Sequence, residues 1–360
     1  MGRFILRRMG VMALTALCLT FVVFFMTNLP PNLEKLAKSE GSVRMADDAV
    51  VQWLTRNGYD RPVLVRYGEW LGVVPGWTGT NDAGTMTGRC LRGHTPETAP
   101  RFCGVLQGQW GYSTVFKADV GTILSRSLGL TAWLMAWVMI VMVPSSLIMG
   151  VLAGMREGSR LDRTLSTVAI ASTATPEYVS GVLLIVIFAS ATTGISPLLV
   201  EWGLISTRTL FQGTATSAMR ELTFWNFGLP VLTIALYGIG YIARMTRASM
   251  TEVMTQQYIR TARLKGVSFR QVVMRHALRN ALIAPFTVIM LQFPWLLNGV
   301  VIVETLFNYK GFGWTLVEAA GNNDIELLLA CSVVAVFVVL VTQLISDIGY
   351  VFLNPRIRLA

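Results

Sequence analysis

The chain has 360 residues, of which 53% are apolar and only 14% are charged, with a formal net charge of +10. Charged residues are absent from several stretches of about twenty residues, the length that crosses a ~30 Å hydrocarbon layer as a helix. This composition excludes an ordinary soluble globular protein and is typical of a polytopic membrane protein.

Six apolar runs are long enough to span a bilayer, and each can satisfy its backbone groups internally as a helix. They lie at roughly 9–29, 128–152, 166–190, 228–243, 283–303 and 327–352. The first run could be mistaken for a signal peptide, but it ends at Asn28 to Pro31 without a small-residue cleavage site. The sequence therefore predicts an all-α integral membrane protein with six transmembrane helices, the first of which is retained.

The positions of Lys and Arg predict the orientation. The two short loops on one side carry only Arg208, Arg220 and Lys310, whereas the opposite side holds many more basic residues. These are Arg3, Arg7, Arg8, Arg156, Arg160, Arg163, Arg244, Arg247, Arg260, Arg263, Lys265, Arg270, Arg275, Arg279, Arg356 and Arg358. The positive-inside rule then puts both termini in the cytoplasm. A basic face beside anionic lipid explains the net charge, and no nucleic acid partner is expected.

The sequence predicts three parts. Residues 1–30 form the N-terminus and the first span, residues 31–127 form a large extracytoplasmic loop, and residues 128–360 form a five-helix core. The beginning of the loop, Leu33 to Trp70, has helical periodicity, with Asp47 and Asp48 suited to a helix start. Residues 72–104 are rich in Gly, Thr and Pro and are expected to form an irregular insertion.

Cys90 and Cys103 lie in this insertion, whereas Cys18 and Cys331 lie in predicted spans. Two cysteines in one exported loop favour a disulfide, because the outer compartment is oxidising. A metal site formed by Cys90, His94 and Cys103 is the alternative, although it lacks the second histidine that zinc sites often use. We predict the disulfide and no metal.

The loop at 244–282, between the fourth and fifth spans, is longer and more basic than a connection requires. A helix is expected from Ser249 to Arg263, because this stretch contains no Pro or Gly, and Gly266 supplies its C-terminal stop. Small residues on a short helix outside the bilayer allow it to enter a groove on another protein.

At this loop the sequence resembles the permease subunits of bacterial ABC importers, in the dipeptide and oligopeptide branch. Their coupling helix carries a Glu-Ala-Ala-x-x-x-Gly motif, which corresponds here to Arg260, Thr261, Ala262 and Gly266. Arg260 and Thr261 depart from the motif, as members of the peptide branch commonly do. The resemblance implies that the 250–266 helix docks on an ATPase subunit, with Ala262 and Gly266 seating it and Tyr258, Arg263 and Lys265 beside them.

The resemblance covers nearly the whole chain. It includes the segments RFILRR, YDRPVLVRYGEWL, LPVLTIALYGIGYIARMTRASM, RHALRNAL, VIVETLFNYKGFGWTLVEAA and SDIGYVFLNPRIR. Lys310 and Asn354 depart from residues usual in the family, and the 72–104 insertion has no counterpart in typical members. Gly311 and Gly313 are interpreted either as turn residues or as part of a gate.

The resemblance also implies the type I ABC importer permease fold, a location in a bacterial inner membrane and a set of partner proteins. These are a second permease subunit, expected to be a distinct chain, two ATPase subunits and an extracytoplasmic solute-binding protein, all working at the lipid bilayer. The chain has no GxxxxGK[ST] phosphate-binding loop. It is therefore expected to be a non-enzyme without a cofactor of its own, with ATP and Mg held by the ATPase subunits.

Five of the six predicted spans have no ionisable residue near their centres, and Glu177 in the third span is the exception. A carboxylate at that depth is costly unless it is hydrated or paired, so we expect it to face the translocation path. It either contacts a cationic group of the solute or has a local partner. Gln292, Trp295 and Asn298 on the fifth span are weaker candidates for lining the path.

Two other functions remain open from the sequence. One is a proton-coupled secondary transporter that uses Glu177, which would leave the 244–282 loop unexplained. The other is a membrane sensor whose outer loop binds a ligand. The first hypothesis is the ATP-driven transport of peptides or peptide-like solutes.

Overall fold

The computed structural model describes residues 2–42, 44–80, 84, 86–92 and 94–353, with the side chains at 2–5, 293–298 and 350–353 excepted. The chain is mostly helical. The helices are α1 Gly2–Thr27, α2 Pro30–Glu40, α3 Asp47–Arg56, α4 Val63–Leu71, α5 Val120–Gly154, α6 Arg160–Ala174, α7 Glu177–Leu184, α8 Ile195–Glu201, α9 Phe224–Met254, α10 Gln257–Leu264, α11 Phe269–Gln271, α12 Leu278–Ala281, α13 Ile283–Leu306, α14 Phe312–Gly321 and α15 Ile325–Leu353. Four short strands complete the list: β1 Thr78–Thr80, β2 Met86–Gly88, β3 Tyr112–Ser113 and β4 Ala118–Asp119.

Several of these helices have the length and apolarity of membrane spans. Among the described residues, four qualify: Leu6–Thr27, Val120–Gly154, Phe224–Met254 and Ile325–Gly349. A fifth is added if α6 and α7 form one bent span. Helix α13 has 24 residues. Because the side chains at 293–298 are not described, only Ile283–Gln292 counts here as an apolar stretch, and it is shorter than a span. The prediction of a helical multi-pass membrane protein is confirmed.

The third predicted span is broken. Helix α6 ends at Ala174, α7 begins at Glu177, and the two are bent by 107°. Pro176 has no N–H to continue the helical ladder and disfavours helical backbone at the residue before it. Thr175 is accordingly extended, with φ −90° and ψ 121°. The expectation of one continuous helix over 166–190 is therefore wrong.

Residues 1–128 and 315–338 form one compact unit. Its core is largely aromatic, with Tyr67 and Trp70 of α4 packed against Phe24 of α1 and against Ile325 and Leu329 of α15. Tyr67 lies 5.4 Å from Phe24 between ring centroids. The predicted helical character of 33–70 is correct, and the acidic pair Asp47 and Asp48 opens α3 as expected.

The insertion at 72–104 contains more regular structure than the sequence suggested. Strands β1 and β2 pair antiparallel with Gly79 opposite Thr87, and farther along the chain Tyr112 of β3 pairs with Asp119 of β4. The prediction of an all-α protein did not include these two short β-ribbons. The insertion closes tightly at its base, where a Cβ on Gly104 would lie only 2.3 Å from the backbone nitrogen of Gly72.

Residues 129–314 and 339–360 form the second unit, described to residue 353. Its core joins α5, α9 and α13 through side chains such as Met142, Ile234 and Val303, each fully buried. Helix α6 crosses α9 closely at Gly240, where a Cβ would lie 2.5 Å from the carbonyl oxygen of Ala169. Small residues at such crossings let membrane helices approach each other, because dispersion contacts replace a hydrophobic driving force.

Candidate functional site: the 244–282 segment and the membrane carboxylates

The segment predicted to couple this chain to an ATPase consists of two helices where one was expected. Helix α9 continues to Met254, and α10 occupies Gln257–Leu264. The break falls at Thr255 and Gln256. Thr255 Oγ1 donates to the carbonyl oxygen of Glu252 at 2.7 Å, a local bond that competes with the helical ladder, and Gln256 is extended at ψ 149°. The expectation of one helix over Ser249 to Arg263 is therefore wrong.

Helix α10 ends as the sequence predicts, at a glycine. Gly266 has φ +75°, a left-handed conformation that L side chains rarely adopt. Its N–H donates to Arg263 O at 3.0 Å, and the N–H of Val267 donates to Ala262 O at 3.2 Å. This pair of bonds is the Schellman motif, which satisfies the last carbonyls of the helix and sets the direction in which the chain leaves it.

One face of α10 packs on the rest of its own unit. Ile259 is fully buried and Ala262 is 7% exposed, in a cluster with Met250, Val272 and Val273. Val267 adds the apolar contact that commonly accompanies a Schellman motif. Ala262, which the motif led us to expect in contact with a partner, is therefore turned towards this chain.

The opposite face of α10 is exposed. It carries Tyr258, Arg260, Thr261, Arg263, Leu264 and Lys265. Leu264 is 80% exposed and is the apolar residue of this basic face that sequence reasoning missed. Helical periodicity could have found it, because Ile259 and Ala262 lie three positions apart on one side and Leu264 lies outside that stripe.

Polar contacts hold α10 and the helices around it together. Asn280 of α12 donates through Nδ2 to the hydroxyl of Tyr258 at 2.9 Å. Ser249 of α9 donates to the carbonyl oxygen of Ala281 at 2.8 Å. The guanidinium of Arg263 lies 6.0 Å from the ring centroid of Phe269, which the guanidinium of Arg156 also approaches, at 5.2 Å. The helix is thus held as part of a small layer rather than as a loose loop.

An ion pair between a buried carboxylate and a partly exposed guanidinium joins α6 to α9 near this layer. Asp162 is 2% exposed, and its carboxylate accepts two hydrogen bonds from Arg247, one of them from Nη2 at 2.9 Å. Ser159 caps α6 by accepting from the N–H of Asp162. Sequence analysis counted Arg247 only as an inner positive charge, because the pair is separated by 85 positions. The contact links α6 to α9 at this end.

Glu177 lies at the break between α6 and α7, as the first residue of α7, and it is half-buried. Its carboxylate lies against α13 at Gly299, where a Cβ would be 2.7 Å from Glu177 Oε2. Gln292 is 7% exposed on the same helix. Seven residues are about two helical turns, so Gln292 and Gly299 share one face of α13. The side chains of Trp295 and Asn298 lie outside the described part of the chain.

A second membrane carboxylate, Glu304 on α13, was not singled out from the sequence. It is fully buried. One oxygen accepts from the hydroxyl of Thr131 on α5, and the other accepts from the N–H of Trp314 at 3.0 Å. The N–H of Phe312 in turn donates to Thr131 Oγ1 at 2.7 Å. Glu304 therefore occupies the N-terminal end of α14, where unsatisfied N–H groups favour a carboxylate.

Gly311 and Gly313 make this arrangement possible. A Cβ on Gly311 would lie 2.1 Å from Glu304 Oε1, and one on Gly313 would lie 2.6 Å from the Cα of Val301. Of the two interpretations left open by the sequence, this packing favours the turn: the glycines let the loop after α13 fold back onto its own last turns.

Cys90 and Cys103 are bonded to each other, with 5.4 Å between their Cα atoms. His94 is exposed beside them. Within the described residues, no three His, Cys, Asp or Glu side chains are grouped as metal ligands would be. Cys18 is exposed and Cys331 is buried, and neither is paired.

The chain combines several membrane-length helices, a broken span and a short basic helix, α10, that has one exposed face. This arrangement is that of a membrane transport subunit. The chain belongs to the family described as binding-protein-dependent transport system inner membrane components, whose model matches residues 146–359. Members of this family are non-catalytic permease subunits of ABC importers in the bacterial inner membrane, served by ATPase subunits and a binding protein.

Similar proteins are found along the full length of the chain. The di/tripeptide transport system permease protein DppB of Pseudomonas aeruginosa is 31% identical over 99% of this chain and 98% of its own length. A probable peptide ABC transporter permease of Sinorhizobium fredii is 34% identical over 71% of this chain and 77% of its own. The glutathione transport system permease protein GsiC of Escherichia coli is 31% identical over 70% and 76% respectively.

Proposed function

We propose that this chain forms half of a translocation path for peptides or peptide-like solutes, in a six-span topology with both termini in the cytoplasm. The distribution of Lys and Arg supports the orientation. The proposed solute class is supported by the names of the relatives, which include permeases for di- and tripeptides and for glutathione. In this topology the 244–282 segment faces the cytoplasm and the 31–127 loop faces outward.

The exposed face of α10 is the proposed contact with an ATPase subunit. The single observation that carries this proposal is Leu264, 80% exposed on a helix whose other face is buried and whose end is closed by the Gly266 motif. An exposed apolar residue at the tip of a rigid element is suited to a pocket on a partner. Arg260, Arg263 and Lys265 surround it as rim charges, and Tyr258 and Thr261 complete the face.

The proposed assembly has one further permease chain, distinct from this one, and two ATPase subunits that bind ATP and Mg. A closing ATPase dimer can move the permease only if its two states make different contacts with α10, because coupling is a difference in free energy between states. The buried face of α10, through Ile259 and Ala262, would transmit that movement to α9.

Uptake of radiolabelled trialanine into proteoliposomes containing the complete transporter and its binding protein tests this function. We expect uptake that requires ATP on the ATPase side. Leu264→Asp should lower both uptake and peptide-stimulated ATP hydrolysis at least about tenfold, because hot-spot truncation costs roughly 2 kcal/mol or more.

Leu204→Asp is the matched control, since Leu204 is also an exposed apolar residue, at 66%, but lies between α8 and α9. It should retain wild-type uptake. Unchanged uptake in Leu264→Asp, or uptake without nucleotide, contradicts the proposal.

A proton-coupled carrier that uses Glu177 is the second candidate, favoured by the half-buried position of this carboxylate at the helix break. The same vesicles distinguish the two. A carrier would transport trialanine without ATP and would stop when a proton uncoupler is added, whereas the proposed importer would be insensitive to the uncoupler at constant ATP.

A further inference from the structure

A wide cleft of ≈1170 Å³ opens in the unit that contains the 31–127 loop. Its walls come from α2, α3 and α4, the disulfide-bonded insertion, the β3–β4 ribbon and the first turn of α15. All of these lie within one compact unit. The volume is slightly above the range of about 300–1,000 Å³ typical of small-molecule sites and far above that of a packing defect.

Some of the charged groups of the cleft are already paired. Arg61 makes a two-point ion pair with Glu69. Asp324 accepts from Ser113 Oγ, from the N–H of Val115 and from the N–H of Leu327. These contacts hold the walls together and leave little for a ligand.

Other charged groups have no such partner. Arg92 is exposed and lies over the ring of Tyr112 at 5.1 Å, but among the described residues it has no hydrogen bond or ion pair. Glu40 likewise has no hydrogen-bond or ion-pair partner there, although Arg92 is close enough to act on its charge. Among the described residues, the rim of the cleft thus presents the guanidinium of Arg92 and the carboxylate of Glu40, neither of which has a hydrogen bond or an ion pair.

The base of the cleft also has unused hydrogen-bonding capacity. Arg66 is 8% exposed, and its Nε has no partner among the described residues, nor does Nε1 of the buried Trp70. Buried polar groups are usually satisfied by protein, water or ligand. Arg89 reaches Glu326 at 3.2 Å through one nitrogen only, which leaves its Nε and Glu326 Oε2 unpaired as well.

Aromatic rings line the space between these charges. Trp53 and Tyr59 are stacked with 5.9 Å between centroids, and Trp77 and Trp110 are half-buried in the same walls. Burial raises the pKa of the Tyr59 phenol, and the carboxylates of Glu326 and Glu40 raise it further. The phenol therefore stays protonated and is available as a hydrogen-bond donor.

We propose that this cleft is a binding site for a zwitterion with a free ammonium and a free carboxylate on a peptide backbone, that is, a short peptide or an amino acid. Glu40 and Glu326 face the ammonium, Arg92 faces the carboxylate, and the aromatic walls cover the chain between them. The site deepens the proposed function and rests on it for the outward orientation of the loop. It gives this subunit a contact of its own with solute, apart from the path between the spans.

The insertion supplies the carboxylate-binding wall. Arg89 and Arg92 flank Cys90, which is bonded to Cys103, and a Cβ on Gly76 would lie 2.3 Å from Cys90 Sγ. The disulfide thus holds the wall against the start of the insertion at Gly76 and Trp77. Breaking it should loosen the site without removing any charge.

Calorimetric titration of the full transporter in lipid nanodiscs, without nucleotide or binding protein, tests the site. The probes are L-alanine, trialanine, N-acetyl-trialanine and trialanine amide. Wild type should bind trialanine, L-alanine or both. Arg92→Gln should weaken binding of the free-carboxylate form at least about tenfold and leave the amide unaffected. Glu40→Gln should do the converse, weakening the free-amine form and not the N-acetylated one.

Arg101→Gln is the control, because Arg101 is exposed in the same insertion and does not line the cleft. The proposal is overturned if wild type binds neither alanine nor trialanine, if the blocked probes bind as well as the free ones, or if Arg92→Gln and Glu40→Gln bind all four probes as the wild type does. Leu264→Asp should lower transport at least about tenfold and leave this binding intact. Failure of the cleft therefore differs from failure of the proposed transport function.

Discussion

The carbonyl oxygen of Ala262 accepts a hydrogen bond from the N–H of Val267 at 3.2 Å, and this bond spans the left-handed glycine between them. It closes α10, and the side chain of Ala262 faces inward, where it is 7% exposed. The two positions that the sequence motif marks together therefore have different tasks. Gly266 fixes the end of the helix, and Ala262 packs with Ile259 into the cluster that contains Val272 and Val273.

Gly266→Ala should weaken coupling more than stability. A non-glycine residue at φ +75° costs roughly 1–2 kcal/mol, and nothing lies within 4 Å of the added Cβ. We expect uptake per ATP hydrolysed to fall while the subunit remains folded. The matched control is Gly203→Ala, at φ +69° with equally open surroundings. It should show the same loss of thermal stability with normal coupling, and equal coupling losses in the two variants would contradict the assignment.

Glu304→Gln should destabilise the second compact unit, whose core joins α5, α9 and α13. The amide replaces an acceptor oxygen with a donor, so either the Thr131 hydroxyl or the N–H of Trp314 loses its partner. A buried group left unsatisfied costs roughly 1–3 kcal/mol. Heat-induced loss of monodisperse protein in detergent measures the effect. Glu318→Gln is the control, since among the described residues Glu318 bonds within α14 and to Asn322 just beyond it.

The pairing of these two groups can be tested separately. Thr131→Val removes the hydroxyl that contacts Glu304, and a double-mutant cycle with Glu304→Gln reports their interaction. Additive effects in the cycle would mean that the buried carboxylate acts independently of Thr131.

The spans could be predicted from the sequence because their signal is local. Twenty uncharged residues need a helix in lipid wherever they lie in the chain. The break at Pro176 was also in the sequence, but apolarity outweighed the proline in our interpretation. The break at Thr255 had no such signal, since neither Pro nor Gly is near it and the competing bond comes from a threonine hydroxyl.

The sites were harder to predict because their partners are distant in sequence. Glu304 and Thr131 are separated by 173 positions, and Asp162 and Arg247 by 85. No periodicity connects such pairs. For α10, the motif identified the right helix, but the burial of Ile259 and Ala262 depends on α9 and on the helical segment Val272–Ala277. The outward face, with Leu264, could be assigned only once that packing was known.

Glu177→Gln tests whether this carboxylate contacts solute. If it faces a cationic group, uptake of trilysine should fall relative to uptake of trialanine. Gly299→Ala should have a similar effect, because its Cβ would lie 2.7 Å from Glu177 Oε2 and would displace the carboxylate. Gly129→Ala is the control, with no atom within 4 Å of the added Cβ. Unchanged uptake and unchanged preference in Glu177→Gln would show that the carboxylate has no role in selecting solute.

Replacing both Cys90 and Cys103 with serine should destabilise the outer loop by about 3 kcal/mol, the chain-entropy value for a loop of this size. The bond also anchors the wall at Gly76. Limited proteolysis between residues 72 and 104 should therefore accelerate. A reductant should produce the same acceleration in the wild type and none in the double variant. Cys18→Ser, at an exposed unpaired cysteine of α1, should leave the rate unchanged. If thiol labelling of the unreduced, denatured wild type modifies all four cysteines, the two residues are not bonded and the wall is held by packing alone.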